Sequence, residues 1–175
     1  MFGEKGLVQL YTGNGKGKTT AALGLALRAS GHGAKIAVIQ FMKGWNGYGE
    51  LEAVKNIPGI TLVHTGRDKC IFRGDETQED FDEAGRGLAL AGKYLSSGAF
   101  DLVILDEINV AADFGLIDAE LAAEIISQKA EATEVVLTGR NAPKAFLELA
   151  ELITEMKEIK HPYQKGITAR KGVEY

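Results

Sequence analysis

The chain has 175 residues, 45% of them hydrophobic and 25% charged, and a formal net charge of -4 at neutral pH. That is enough to bury a core in a single domain, expected over 1–175, and the balance is that of a water-exposed globular protein. The acidic surplus gives no pull toward nucleic acid, and no apolar run is long enough to span a bilayer. The single cysteine, Cys70, excludes an internal disulfide and a cysteine-rich zinc site. The opening MFGEKG lacks the apolar core of a signal peptide. A reducing cytoplasm is therefore expected, without nucleic-acid or membrane partners.

A short apolar run over 7–11 is followed by TGNGKGKTTAA (12–22), which opens an Ala/Leu-rich segment over 21–29. The order is strand, glycine turn, helix, and Gly31-His32-Gly33 reads as the helix stop. KIAVIQF (35–41) is a nearly continuous apolar run, as expected of a strand covered on both faces in a parallel sheet. It leads into a loop with the only Trp, Trp45, and with Tyr48. Such a loop leaves the C-terminal end of a strand, where it either touches a flat ligand or covers a core edge. A short helical piece over 51–56 and a strand over 60–65 follow, then a long aperiodic connection over 65–77 that holds Cys70 and Phe72.

Thr77 with Asp80 resembles a capping box, and Phe81, Ala84, Leu88, Ala91 and Leu95 recur at helical spacing up to a stop at Gly98. FDLVILDE (100–107) reads as a buried strand that carries Asp106 and Glu107 to its C-terminal edge. Residues 109–115 read as a short helix or ordered loop, and Asp118 as the cap of a helix over Leu121, Ala122, Ile125 and Ile126. EVVLT (134–138) is a further strand with Arg140 just beyond it, and Asn141 and Pro143 open a helix through Ala150. The alternation over 152–159 suits a sheet-edge strand. The whole is an α/β chain of the P-loop NTPase type, with a mostly parallel central sheet flanked by helices.

The glycine turn carries the chemistry. Gly13, Gly15 and Gly17 permit backbone angles closed to other residues and let successive N–H groups face one anion. The helix that follows adds its dipole. Lys18 is placed to reach phosphates and Thr19 to hold magnesium, although the first glycine of the common pattern G-x-x-x-x-G-K-[ST] is replaced by Thr12. A carboxylate of the pair Asp106-Glu107 would complete the magnesium site, and Arg140 would fork onto a phosphate or form a structural salt bridge. The basic stretch over 160–175, with His161, either folds over a bound polyphosphate or is a solvated segment. The residues alone thus read as a binder of magnesium and a nucleoside triphosphate, with the acceptor unnamed.

The set TGNGKGKTTAA, RASGHG (28–33), VIQFMKG (38–44), VILDEI (103–108), LTGRNAP (137–143) and KHPYQKGITARKGVEY (160–175) resembles the phosphate-loop type of ATP:cob(I)alamin adenosyltransferases, also called corrinoid adenosyltransferases. The resemblance runs in order over nearly the whole chain. It implies transfer of the 5′-deoxyadenosyl group of ATP to the Co(I) centre of a reduced corrinoid, cobalamin or a precursor, with release of triphosphate. It also implies that ATP lies reversed, its γ-phosphate in the usual α site. Carried over by position, Gly13, Asn14, Gly15, Lys16, Gly17, Lys18, Thr19, Thr20 and Arg140 bind ATP. Lys18, Thr19 and Glu107 serve catalysis, and Thr19 and Glu107 hold Mg2+. Some members carry an aromatic pair, in the form GFTW, that weakens the lower cobalt ligand. Here that loop reads GRDKCIFRG (66–74), which leaves Phe72, or Trp45 from the neighbouring loop, as corrinoid contacts, and Cys70 is not assigned to cobalt. A homodimer and a reductant for the cobalt, such as a flavoprotein, are implied as partners. Two other readings share the loop: an ATP hydrolase or phosphotransferase releasing ADP and phosphate, and a nucleotide-dependent corrinoid-binding regulator without turnover.

Overall fold

A computed structural model describes residues 3–175. Six strands, β1 (Val8–Thr12), β2 (Ile36–Gln40), β3 (Ile60–His64), β4 (Leu102–Asp106), β5 (Glu134–Thr138) and β6 (Leu152–Glu155), form one sheet in the order β3-β2-β4-β5-β1-β6. Every neighbouring pair is parallel, so all six strands present their C-terminal ends to the same edge. The helices are α1 (Lys18–Ser30), α2 (Gly49–Ala53), α3 (Gln78–Ser96), α4 (Ile108–Asp113), α5 (Ala119–Ser127) and α6 (Lys144–Leu149). Among the described residues, no helix is long and apolar enough to cross a membrane.

The continuous apolar runs behave as a two-faced sheet requires. Every residue of β2 and β4 is buried. Along them alternate side chains enter different cores, because successive strand residues point to opposite faces. Ile36, Val38, Leu102, Ile104 and Val136 meet α1, whose contact face is built from Ala22, Ala26 and Ala29. Those small side chains let the helix approach the sheet closely. On the other face Ile39, Leu105 and Leu137 pack with Leu88 and Leu95 of α3, Ile126 of α5 and Phe146 of α6.

The local signals hold with small shifts. The capping box of α3 is present, with Thr77 and Asp80 satisfying each other's backbone, and the Asp118 carboxylate accepts from the Leu121 amide at the start of α5. Phe81, counted on the buried face of α3, is instead 41% exposed, since only Ala84, Leu88, Ala91 and Leu95 of that periodic set turn inward. The strand expected over 152–159 ends at Glu155. There the chain leaves the sheet edge and runs beside the glycine turn, where the Met156 amide donates to the Thr12 carbonyl at 2.8 Å.

Candidate functional site

The turn after β1 has the geometry that its glycines foretold at two of three positions. Gly13 and Gly17 lie in the left-handed region, at φ 93° and 116°. Gly15 does not, and it is required for a different reason. Its amide donates to the Met156 carbonyl at 2.6 Å, and a Cβ there would lie 2.6 Å from that same oxygen. The approach of the segment after β6 therefore fixes a glycine where backbone angle alone does not. α1 starts at Lys18, whose ammonium donates to the carbonyls of Gly13 (2.7 Å) and Gly15 (2.8 Å). It thus bridges the loop from within. Burial holds the Lys18 ammonium below its ordinary pKa, and the charge of Arg140 adds to this, against the attraction of Glu107 and Asp106.

The two acids at the end of β4 have separate roles. Asp106 is buried and accepts four hydrogen bonds, from Thr19 Oγ1 (2.8 Å), Thr138 Oγ1 (2.6 Å), Gln40 Nε2 (3.2 Å) and Lys43 Nζ (2.7 Å). These occupy the lone-pair directions of a carboxylate. Burial opposes its ionisation, but the Lys43 ammonium and the two hydroxyls outweigh that and hold the carboxyl below the ordinary range. Glu107, the next residue, has φ 61°, an uncommon backbone for a residue with a side chain, and its amide donates to Thr138 Oγ1 at 3.0 Å. Among the described residues its carboxylate makes no hydrogen bond or ion pair. Burial, and then the charge of Asp106, push it above the ordinary carboxylate range, against the pull of Lys43, Lys18 and Arg140.

A cavity of about 850 Å³ opens at this edge, lined by residues of the loop, Lys43, Glu107 and Arg140. Of the residues foreseen for ATP, Gly15, Lys16, Gly17, Lys18, Thr19, Thr20 and Arg140 line it. Asn14 instead lines a second cleft of about 490 Å³, shared with Arg140, Glu155 and Lys157, and Gly13 serves as the acceptor of Lys18. The stretch over 160–175 crosses the cavity mouth. Lys16 Nζ donates to the Val173 carbonyl at 3.1 Å, and the Tyr175 ring packs edge-on against Trp45, their centroids 5.2 Å apart. Trp45 in turn meets Tyr48 at 5.3 Å. Trp45 therefore stands one ring behind the cavity wall. Phe72 is 70% exposed and lies outside the lining, and Cys70 is an exposed free thiol. The neighbouring Arg73 ties the Phe72 loop to Asp113 at 2.6 Å, beside the cavity.

Sequence reasoning passed over Lys43 and Gln40; the residues alone left the acid unassigned and the resemblance paired Thr19 with Glu107 at the metal, whereas the Thr19 hydroxyl here donates to Asp106. Lys43 stands in the VIQFMKG segment three residues past β2, so its place after a buried strand was the available signal. The partition of Asp106 from Glu107 had no such signal, because adjacent acids read alike until the neighbouring strands are placed.

The parallel sheet and its glycine loop, with a cation-lined cavity at the strand ends, define an α/β protein of the phosphate-loop class. A family model described as ATP:corrinoid adenosyltransferase BtuR/CobO/CobP matches residues 4–175. A corrinoid adenosyltransferase of Sinorhizobium sp. is 38% identical over 174 residues, covering 98% of this chain and 81% of that protein. Those of Pseudomonas aeruginosa and Escherichia coli K12 are each 34% identical, with 98% of this chain covered and 85% and 87% of theirs. The chain belongs to the ATP:corrinoid adenosyltransferase family.

Proposed function

We propose that this protein transfers the 5′-deoxyadenosyl group of ATP to the Co(I) centre of a reduced corrinoid and releases triphosphate. The observation that carries this reading is the family match over residues 4–175, which spans the loop, both acids and Arg140. The reduced cobalt supplies the electron pair that attacks the ribose 5′ carbon. The cobalt–carbon bond forms as the bond from that carbon to the α-phosphate oxygen breaks, and the electron pair leaves with triphosphate.

The protein's part is positioning and charge neutralisation. Loop amides and Lys18 hold the triphosphate, Arg140 forks onto one phosphate, and Thr20 and Lys16 border it. The residues present suit a magnesium ion: the unpaired Glu107 carboxylate gains a counter-charge from it, and the Thr19 hydroxyl, oriented by Asp106, offers a lone pair. Among the described residues no three His, Cys, Asp or Glu converge on one metal position, so the phosphates and water would supply the other ligands. When bound, magnesium supplies neutralising charge to the triphosphate. Trp45 and Phe72 are the corrinoid contacts in this reading. The partners are a second copy of the chain and a cobalt reductant such as a flavoprotein, in the cytoplasm.

The test is an anaerobic assay with ATP, magnesium and chemically reduced cobalamin that reads the corrinoid spectrum and the phosphate product together. Adenosylcobalamin with intact triphosphate is expected. ADP and phosphate without cobalt alkylation would refute the reading in favour of hydrolysis, and binding of both ligands without turnover would favour a regulator. Lys18→Ala should lower turnover by at least about 100-fold, since the triphosphate loses its nearest cation.

A further inference from the structure

Besides Lys16, Glu50, Asp113 and Glu174, the cavity is lined by charged side chains that follow four neighbouring strands. In spatial order they are Lys43 after β2, Glu107 after β4, Arg140 after β5 and Lys18 after β1. Three cations from three different connections therefore share the cavity wall with Glu107. Two of them have roles in the reading above, and Lys43 has none.

Lys43 is not held as a surface lysine is. Its side chain is 14% exposed, and its ammonium is 2.7 Å from an Asp106 carboxylate that is 1% exposed. Its backbone is clamped as well. The Lys43 amide donates to the Thr65 carbonyl at 2.9 Å, the Gly44 amide donates to the Arg67 carbonyl at 3.1 Å, and Met42 before it takes φ 57°. The two loops touch so closely that a Cβ on Gly44 would fall 2.2 Å from the Gly66 carbonyl oxygen. Chain and carboxylate together fix the ammonium at the cavity wall.

A buried ion pair is a poor device for stability alone, because desolvation consumes most of the attraction. An ammonium has three N–H donors, and among the described residues this one uses a single hydrogen bond, to Asp106. Its other recorded contact is the Tyr48 ring, 5.4 Å from the ammonium to the centroid, so two N–H donors make no hydrogen bond to the described residues on a group that lines the cavity. Asp106, its four acceptor directions filled, acts as the anchor.

We infer that Lys43 is a second triphosphate-binding cation, meeting the leaving group from the β2 side while Lys18 and Arg140 meet it from the β1 and β5 side, with Asp106 as its positioning residue. This rests on the reading that triphosphate is the leaving group. As the carbon–oxygen bond breaks, the departing oxygen gains charge, and a fixed, partly desolvated ammonium stabilises that charge more than water does.

The test is calorimetric titration of inorganic tripolyphosphate with magnesium into the full chain. Lys43→Gln keeps a hydrogen-bond donor for Asp106 but removes the charge, and should weaken binding roughly 10- to 100-fold. Lys43→Arg should stay within about 5-fold of wild type, because charge and donors remain. Should Lys43→Gln fold poorly beside the ionised Asp106, wild type is compared instead with Asp106→Asn/Lys43→Gln, in which neither charge of the pair is stranded, and the same loss is expected. Equal affinity within each pair would overturn the inference and leave Lys43 a structural group. Failure of wild type to bind tripolyphosphate, with ADP as the product of turnover, would instead bring down the leaving-group reading itself.

Discussion

Asp106→Ala is the sharpest probe of how this site is held. The substitution removes the shared acceptor of Thr19, Thr138, Gln40 and Lys43, and it strands the Lys43 ammonium at 14% exposure. Removing one partner of a buried, hydrogen-bonded ion pair costs about 3–5 kcal/mol. For a chain of this size each kcal/mol lowers the melting temperature by roughly 2–4 °C, so a fall of about 6–20 °C is expected. Thermal and urea unfolding by circular dichroism measure it, and the urea slope should be unchanged if only stability has moved. Asp106→Ala/Lys43→Met should recover about 1–3 kcal/mol relative to the sum of the single changes, because the second substitution removes the stranded charge. The acid limb gives a second reading of the same carboxylate. Its native pKa lies below its ordinary 3.8, so its contribution is complete above that value and fades as pH falls through the native pKa. Asp106→Asn should therefore flatten the loss of stability below about pH 4. A cost for Asp106→Ala under about 1 kcal/mol, with additive double-variant energies, would refute the network described above.

Three further outcomes follow from neighbouring geometry. Glu107→Gln should raise the melting temperature of the metal-free protein at neutral pH while abolishing adenosyl transfer, because the native pKa is raised above 4.5 and the ionised form is penalised there; a lower melting temperature would contradict the unpaired state of that carboxylate. Gly15→Ala places a Cβ 2.6 Å from the Met156 carbonyl oxygen and 2.9 Å from the Lys157 carbonyl carbon, both backbone atoms with little room to yield. A loss of about 1–3 kcal/mol and at least about 10-fold weaker ATP binding by calorimetry are expected, with wild-type values as the refuting result. Tyr175→Ala removes the ring that packs on Trp45, and as Trp45 is the sole tryptophan its emission should shift to the red; an unchanged spectrum would mean that the stretch over 160–175 does not cover the cavity in solution.

The order of strands and helices was legible because each is a local matter. The runs of 35–41 and 100–107 are apolar on both faces, which only a sheet covered twice accommodates, and Thr77 and Asp80 announce α3 through a bond spanning three residues. The glycine loop was legible for the same reason, since phosphate binding by backbone amides is written in consecutive residues. Strand order was not, because β2 and β4 lie 66 residues apart at the Gln40–Asp106 contact and nothing in either segment names the other. Everything that depends on which strands are neighbours was decided by tertiary structure: through β4 lying between β2 and β5, that Asp106 is the shared anchor while the Glu107 carboxylate has no partner among the described residues, and that Lys43 enters the cavity; through β6 beside β1, that Gly15 answers to Met156 rather than to its own φ. Trp45 and Phe72 show the same boundary, for one packs against Tyr175 while still 41% exposed and the other is 70% exposed, and the sequence marked both as aromatic without saying what either faces. Local pattern sets which elements form and where a loop can hold an anion. Which side chains share a lone pair is set by pairing across the sheet, where the energies are those of groups distant in the chain and brought together only by burial.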